Sequence, residues 1–195
     1  QARPSAISQR KQAAMTSEAD PGASRMGPGL LLAVFLPLAG GYFLSFLYRS
    51  INAMIAPYLV ADLGLSASEL GLVTAVYFLG FGLFQLPLGV LLDRFGPARV
   101  QSTLLAVAAA GAMLFSVGET YGVLILGRGL IGMGVAGALM SSFTAFALWF
   151  PSRHLPLVNG CFMGFGGLGA LAAAKPVEWA LGLTDWRGLF FVLSV

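Results

Sequence analysis

Charge is scarce in this chain. Only 10% of its 195 residues are Asp, Glu, Lys or Arg, against about 25% in an ordinary soluble domain, so a globule with a water-solvated surface is excluded. Cysteine is nearly absent. A lone Cys161 rules out a disulfide framework and a thiolate metal site, and its apolar surroundings predict a small buried residue. Histidine is equally rare: His154 stands in "PSRHLP" with no Cys, Asp or Glu at ligand spacing. No nucleophile is paired with a base either, so an enzyme, a metal centre and a cofactor site are not expected. The sequence pI is near 9.4. The net charge is only +3, however, and the basic residues form no stripe, which argues against nucleic acid as a partner.

What the chain has in quantity is apolar length. Hydrophobic residues make up 57% of it, and the mean hydropathy is +0.84. A helix crossing a bilayer core of about 30 Å needs roughly 20 mostly apolar residues. Five such stretches occur, at 30–58, 70–92, 100–117, 121–150 and 155–181, and a sixth starts at Trp186 but is too short to span. The expected fold is therefore all-α: a polytopic membrane protein with the lipid bilayer as its solvent, five full spans and part of a sixth. Residues 1–28 are polar and hold no apolar run, which predicts a disordered tail. The first apolar stretch is too long for a signal-peptide core and no small-residue cleavage site closes it, so the tail is expected to be retained. This divides the chain into a tail, 1–28, and a membrane bundle, 29–195.

Orientation is read from lysine and arginine. Arg3, Arg10, Lys11, Arg25, Arg94, Arg99 and Arg153 fall on the side of the tail, whereas Asp62, Glu69, Glu119, Glu178 and Asp185 fall in the opposite loops. By the positive-inside rule the amino terminus and the 93–99 loop are cytoplasmic. The expected location is a bacterial inner (plasma) membrane.

The loop "GVLLDRFGPAR" carries a more specific signal. Gly89, Asp93, Arg94, Gly96 and Arg99 follow the pattern G-x-x-x-D-R-x-G-x-x-R between a second and a third span, and here the chain resembles the major facilitator superfamily of secondary transporters. In the fourth span, Arg128, Gly132, Gly134 and Ala136 resemble the family's R-x-x-x-G-x-G-x-A, and "DWRGLFF" from Asp185 looks like the usual start of its sixth span. The resemblance covers about 30–195, one six-span half of a twelve-span carrier. It implies an alternating-access transporter whose carboxy-terminal half is a further partner. Pro97 and Ala98 stand where the family often has basic residues, and the fifth span lacks the glycine-proline pair of drug and proton antiporters.

By resemblance, Asp93 is a conformational latch that joins the two halves on the cytoplasmic side when the cavity opens outward. Physical chemistry adds that an acid at the carboxy-terminal end of a helix is disfavoured by the helix dipole and needs a partner. Arg94, Arg99 or a helix amino terminus in the other half are the candidates. The 26 glycines concentrate in the second, fourth and fifth spans. Gly129, Gly132, Gly134 and Gly137, with Gly160 and Gly164 four apart, predict close helix packing.

The substrate signal lies in the first span. Tyr42, Ser45, Arg49 and Asn52 are spaced three, four and three apart, which puts them on one helical face. An arginine inside a span is costly unless it faces a cavity or a partner, and no acid lies in the interior of any span to pair with it, Glu178 standing at the outer end of the fifth. Arg128 adds a second intramembrane cation, while Lys175 and Arg187 are expected to snorkel to the surface. The cavity reads as net positive. A cavity arginine grips a carboxylate or phosphate through its planar fork, and Tyr77 and Gln85 on the second span would add hydrogen bonds. The segment around Arg49, eight residues before Pro57, is also similar to the first span of the superfamily's organophosphate and phosphate antiporters, which implies that Arg49 binds an anion. The lysine of those antiporters' second span corresponds to Gln85 and their fifth-span histidine falls near Met163, so a monoanion or small organic acid is the expected solute. Other readings of the chain are a drug or metabolite efflux carrier, a transporter-like solute sensor, and an Arg49 paired with an acid of the other half.

Overall fold

The computed structural model describes residue 29 and residues 31–195; the tail expected at 1–28 lies outside the described residues. A π-helical turn, Leu31–Phe35, leads into α1 (Leu36–Leu63), followed by α2 (Ala67–Phe95) and α3 (Pro97–Ser116). The fourth span is made of α4 (Tyr121–Val135) and α5 (Ala138–Trp149). The fifth joins a short 3₁₀ turn, Ser152–His154, to α6 (Leu155–Ala172) and α7 (Lys175–Leu181), and α8 (Trp186–Ser194) closes the chain. Five segments are long and apolar enough to cross a membrane, Leu31–Leu63, Ala67–Phe95, Pro97–Ser116, Tyr121–Trp149 and Ser152–Leu181, each within a few residues of its predicted run.

Local chemistry sets the joints. Gly64, at φ 65°, caps α1 in the left-handed conformation that glycine adopts without strain. Ser66 then opens α2 with a capping box in which Glu69 closes back on the Ser66 amide. Gly96, at φ 79°, ends α2 and lets Pro97 start α3 at once, since proline's missing N–H costs nothing in a first turn. Asp185 caps α8 by accepting from the Gly188 amide at 2.7 Å.

Two expectations about the ends need correction. Asp62, Glu69 and Glu178 are not loop acids but lie in the last turn of α1, the first turn of α2 and α7. Their helical placement satisfies them: Asp62 accepts from Trp186 Nε1 at 2.7 Å, and Glu178 pairs with Lys175 at 3.2 Å. Lys175 is exposed as predicted, whereas Arg187 is tied down, donating to the carbonyls of Gly118 and Ser116 at the end of α3.

Backbone contact at glycine builds the bundle. A Cβ on Gly132 would strike the Tyr77 carbonyl, and one on Gly134 would strike Ala108, so the fourth span lies directly against both α2 and α3. Gly169 does the same for α6 against the Phe43 carbonyl of α1. Lipid tails are as apolar as leucine, so such close packing, not hydrophobic burial, drives association of spans. The largest core cluster includes Tyr48, Ile51, Tyr77, Phe115, Ile131 and Phe190.

A Cβ at Gly160 or Gly164, both expected to pack, would meet no neighbouring helix within 4 Å among the described residues. Cys161 beside them is exposed, against the expectation of burial. In a membrane an apolar surface carries no solvation cost, so the hydrophobicity of that stretch did not require an interior position.

Candidate functional site

Arg49 sits at the middle of the 28-residue α1. Its guanidinium lies 5.1 Å from the ring centres of Phe46 and Phe81 and 5.9 Å from that of Phe78, so three rings from α1 and α2 hold it. Aromatic faces attract a guanidinium but take none of its N–H groups in conventional hydrogen bonds. The buried Nε has no partner. The side chain borders a cavity of about 420 Å³, whose wall also includes Ser50 and Asn52 of α1 and Leu70, Gly71 and Thr74 of α2. No acid lines it among the described residues.

Asn52 lies one turn further along the same face. Its Nδ2 donates to Thr74 Oγ1 at 2.5 Å, and its Oδ1 accepts from Arg128 Nη2 at 2.6 Å. Arg128 is 1% exposed. It also donates to the Tyr48 carbonyl at 3.3 Å and lies over the rings of Phe115 and Phe190, at 4.7 and 5.2 Å. This second intramembrane cation therefore reaches the cavity only through Asn52.

The other predicted residues divide. Tyr77 is 2% exposed and donates to the Ser45 carbonyl at 3.3 Å, which locks α1 to α2 beneath Arg49. Tyr42 is drawn elsewhere: it stacks on Phe162 at 4.3 Å and donates to Met163 Sδ at 3.4 Å. Seven residues separate it from Arg49, about 10 Å along the axis, so a shared face does not bring the two together. Gln85 donates to the Ala136 carbonyl at 3.1 Å, at the break between α4 and α5. Thr74, Ser50 and the three phenylalanines were not singled out in the sequence. Thr74 stands three residues before Tyr77 on one face of α2 and was legible from that spacing. Phe78 and Phe81 look like ordinary membrane-facing residues until Arg49 is placed between them.

The bundle, the glycine contacts and the mid-span arginine converge with comparison to known proteins. A model described as the Major Facilitator Superfamily matches residues 38–195. The chain belongs to the major facilitator superfamily. It is 32% identical over 157 residues to "Uncharacterized transporter YybO" of Bacillus subtilis, covering 80% of this chain and 36% of that protein. It is 27% identical to "Probable sulfoacetate transporter SauU" of Cupriavidus necator, covering 78% and 36%. To the hexuronate transporter of Escherichia coli K12 it is 25% identical, covering 78% and 35%. The chain thus spans about a third of the length of the curated relatives it matches.

The motif loop of this major facilitator chain is open. Asp93, Arg94 and Arg99 are all exposed, and the ion pair formed among the described residues is Lys175–Glu178. Neutralisation of Asp93 by Arg94 or Arg99 is thus not observed. Neighbours on a helix point about 100° apart, and Arg99 lies past the turn at Gly96, on the next helix. Arg94 lies over the Phe95 ring instead, at 5.4 Å. Gly89 faces open space.

Proposed function

We propose that this chain is the amino-terminal half of a secondary transporter that moves a small anion by alternating access, with Arg49 as the group that grips the solute. The observation that carries the reading is the Arg49 guanidinium: mid-span, walled by three rings, bordering a cavity without an acid, and keeping an unpartnered Nε. A cation held there is costly until an anion arrives, and the planar fork matches the paired oxygens of a carboxylate or sulfonate. Relatives named for sulfoacetate and hexuronate transport support the same class of solute. The Lys and Arg asymmetry supports a cytoplasmic amino terminus, and the bacterial relatives support an inner-membrane location. In this reading Asp93, which forms no ion pair among the described residues, is a latch toward the other half.

The test is uptake of sulfoacetate, glucuronate and nitrate into proteoliposomes holding the full-length carrier. At least one is expected to be taken up, and Arg49→Gln is expected to reduce its uptake about 100-fold while leaving membrane insertion intact, because two charge-assisted hydrogen bonds are lost together. Unchanged uptake by Arg49→Gln would remove Arg49 from the solute site.

A further inference from the structure

The Asn52 carboxamide can face its neighbours in two ways, and its surroundings allow only one. A guanidinium has donors and no acceptor, so the Asn52 atom 2.6 Å from Arg128 Nη2 is the oxygen. The far side gives the same answer. Thr74 spends its single hydroxyl proton on the Leu70 carbonyl at 3.0 Å, which leaves Oγ1 to accept from Asn52 Nδ2. One N–H of Asn52 is used by Thr74 and the second is not. Asn52 and Arg49 border the same cavity, and donors are what each has left to offer it.

We propose that Arg128 is a positioning residue that sets the polarity of this cavity: by occupying the Asn52 oxygen it holds Asn52 as a donor beside Arg49, and so selects small anions that carry a second acceptor oxygen. The inference rests on the Arg49 reading above and deepens it. Arg128 touches no solute. Its burial keeps water from competing for the Asn52 oxygen, and its other contacts, to the Tyr48 carbonyl and the Phe115 and Phe190 rings, fix the direction from which it donates. With Arg128 in place, a solute that brings an N–H toward Asn52 meets a donor with a donor. A carboxylate or sulfonate with a neighbouring hydroxyl or carbonyl oxygen finds two complementary partners.

Three variants of the full-length carrier test this, with the better bound of sulfoacetate and glucuronate as probe and equilibrium affinity as readout. Asn52→Asp keeps an acceptor for Arg128, so the bundle should assemble with its thermal stability unimpaired, but it presents an acceptor to the cavity. Its affinity should fall about 10- to 100-fold, the range for one hydrogen bond to a charged group. Arg128→Gln, able to donate or accept, frees Asn52 to turn and should weaken binding about tenfold. Arg128→Lys, which only donates, should restore affinity to within about threefold of wild type.

Wild-type affinity in Asn52→Asp would overturn the inference, because a carboxylate offers the solute no donor. Equal losses in Arg128→Lys and Arg128→Gln would overturn it as well. Should Arg128→Gln fail to assemble, Asn52→Asp alone decides. Arg49→Gln separates the two claims: loss there with wild-type binding in Asn52→Asp removes this inference only, and binding unaffected by Arg49→Gln removes the Arg49 reading. If wild type binds neither probe, this inference falls, and the Arg49 reading falls with it if nitrate is not taken up either.

Discussion

Two arginines, Arg49 and Arg128, lie away from the ends of the spans, and in the sequence they look alike: one cation in an apolar run. Tertiary contacts separate them. Arg128 directs donors to the Tyr48 carbonyl and Asn52 and is sealed between two rings, whereas Arg49 lies among phenylalanine rings beside a cavity. Spacing along α1 put Tyr42, Arg49 and Asn52 on one face; Arg49 and Asn52 border one cavity while Tyr42 lies two turns away against Phe162, because periodicity reports direction around a helix and not height along it. Arg49→Lys exploits the difference in chemistry. Lysine keeps the charge but loses both the fork and the flat face that lies against Phe46 and Phe81. The expected outcome is a KM about tenfold above wild type, between wild type and Arg49→Gln, with kcat changed little; steady-state uptake measures both. A KM equal to that of Arg49→Gln would mean that the charge itself contributes nothing at that position.

At the scale of elements, apolar length alone located every span, because a bilayer requires it. The interruptions were not legible. The fourth span breaks between Val135 and Ala138, and nothing in "GMGVAGALM" marks that point except its glycines. The break is tolerated because Gln85 of α2 donates to the Ala136 carbonyl, a partner supplied by another helix. The α2–α3 joint was better marked, since Gly96 and Pro97 are the residues that a sharp reversal needs. Asp93 at that joint has no ion-pair partner among the described residues. If it latches to the other half in one conformation only, Asp93→Asn removes charge-assisted contacts worth about 1.5 to 3 kcal/mol and shifts a balanced equilibrium tenfold or more toward inward-facing. Distance distributions across the cytoplasmic mouth of the full-length carrier should then move toward the open form. Identical distributions in wild type and Asp93→Asn would leave Asp93 a solvated loop acid.

For the whole molecule, the fold class and the family could be read from hydropathy and two motifs, while the faces left uncovered could not. Gly160 and Gly164 on α6 and Gly89 on α2 face open space among the described residues, and Cys161 is exposed, although small residues and apolar surroundings suggested packing. A sequence shows that a surface is small; it does not show what lies against it. Orientation is a whole-molecule property with a direct test: cysteines placed at Arg99 and Ser152 should react with impermeant reagents from the cytoplasmic side, and one at Thr184 from the opposite side. Reversed labelling would invert the assignment of every loop. The central claim is that Arg49 meets its counter-charge on the solute, not on the other half of the protein. The most direct measurement is the position of a bromine-substituted carboxylate, located by anomalous scattering in crystals of the full-length carrier. The expected result is a bromine peak in the α1–α2 cavity, with carboxylate oxygens about 3 Å from the Arg49 guanidinium. A peak elsewhere, with Arg49 paired to an Asp or Glu of the other half, would contradict it.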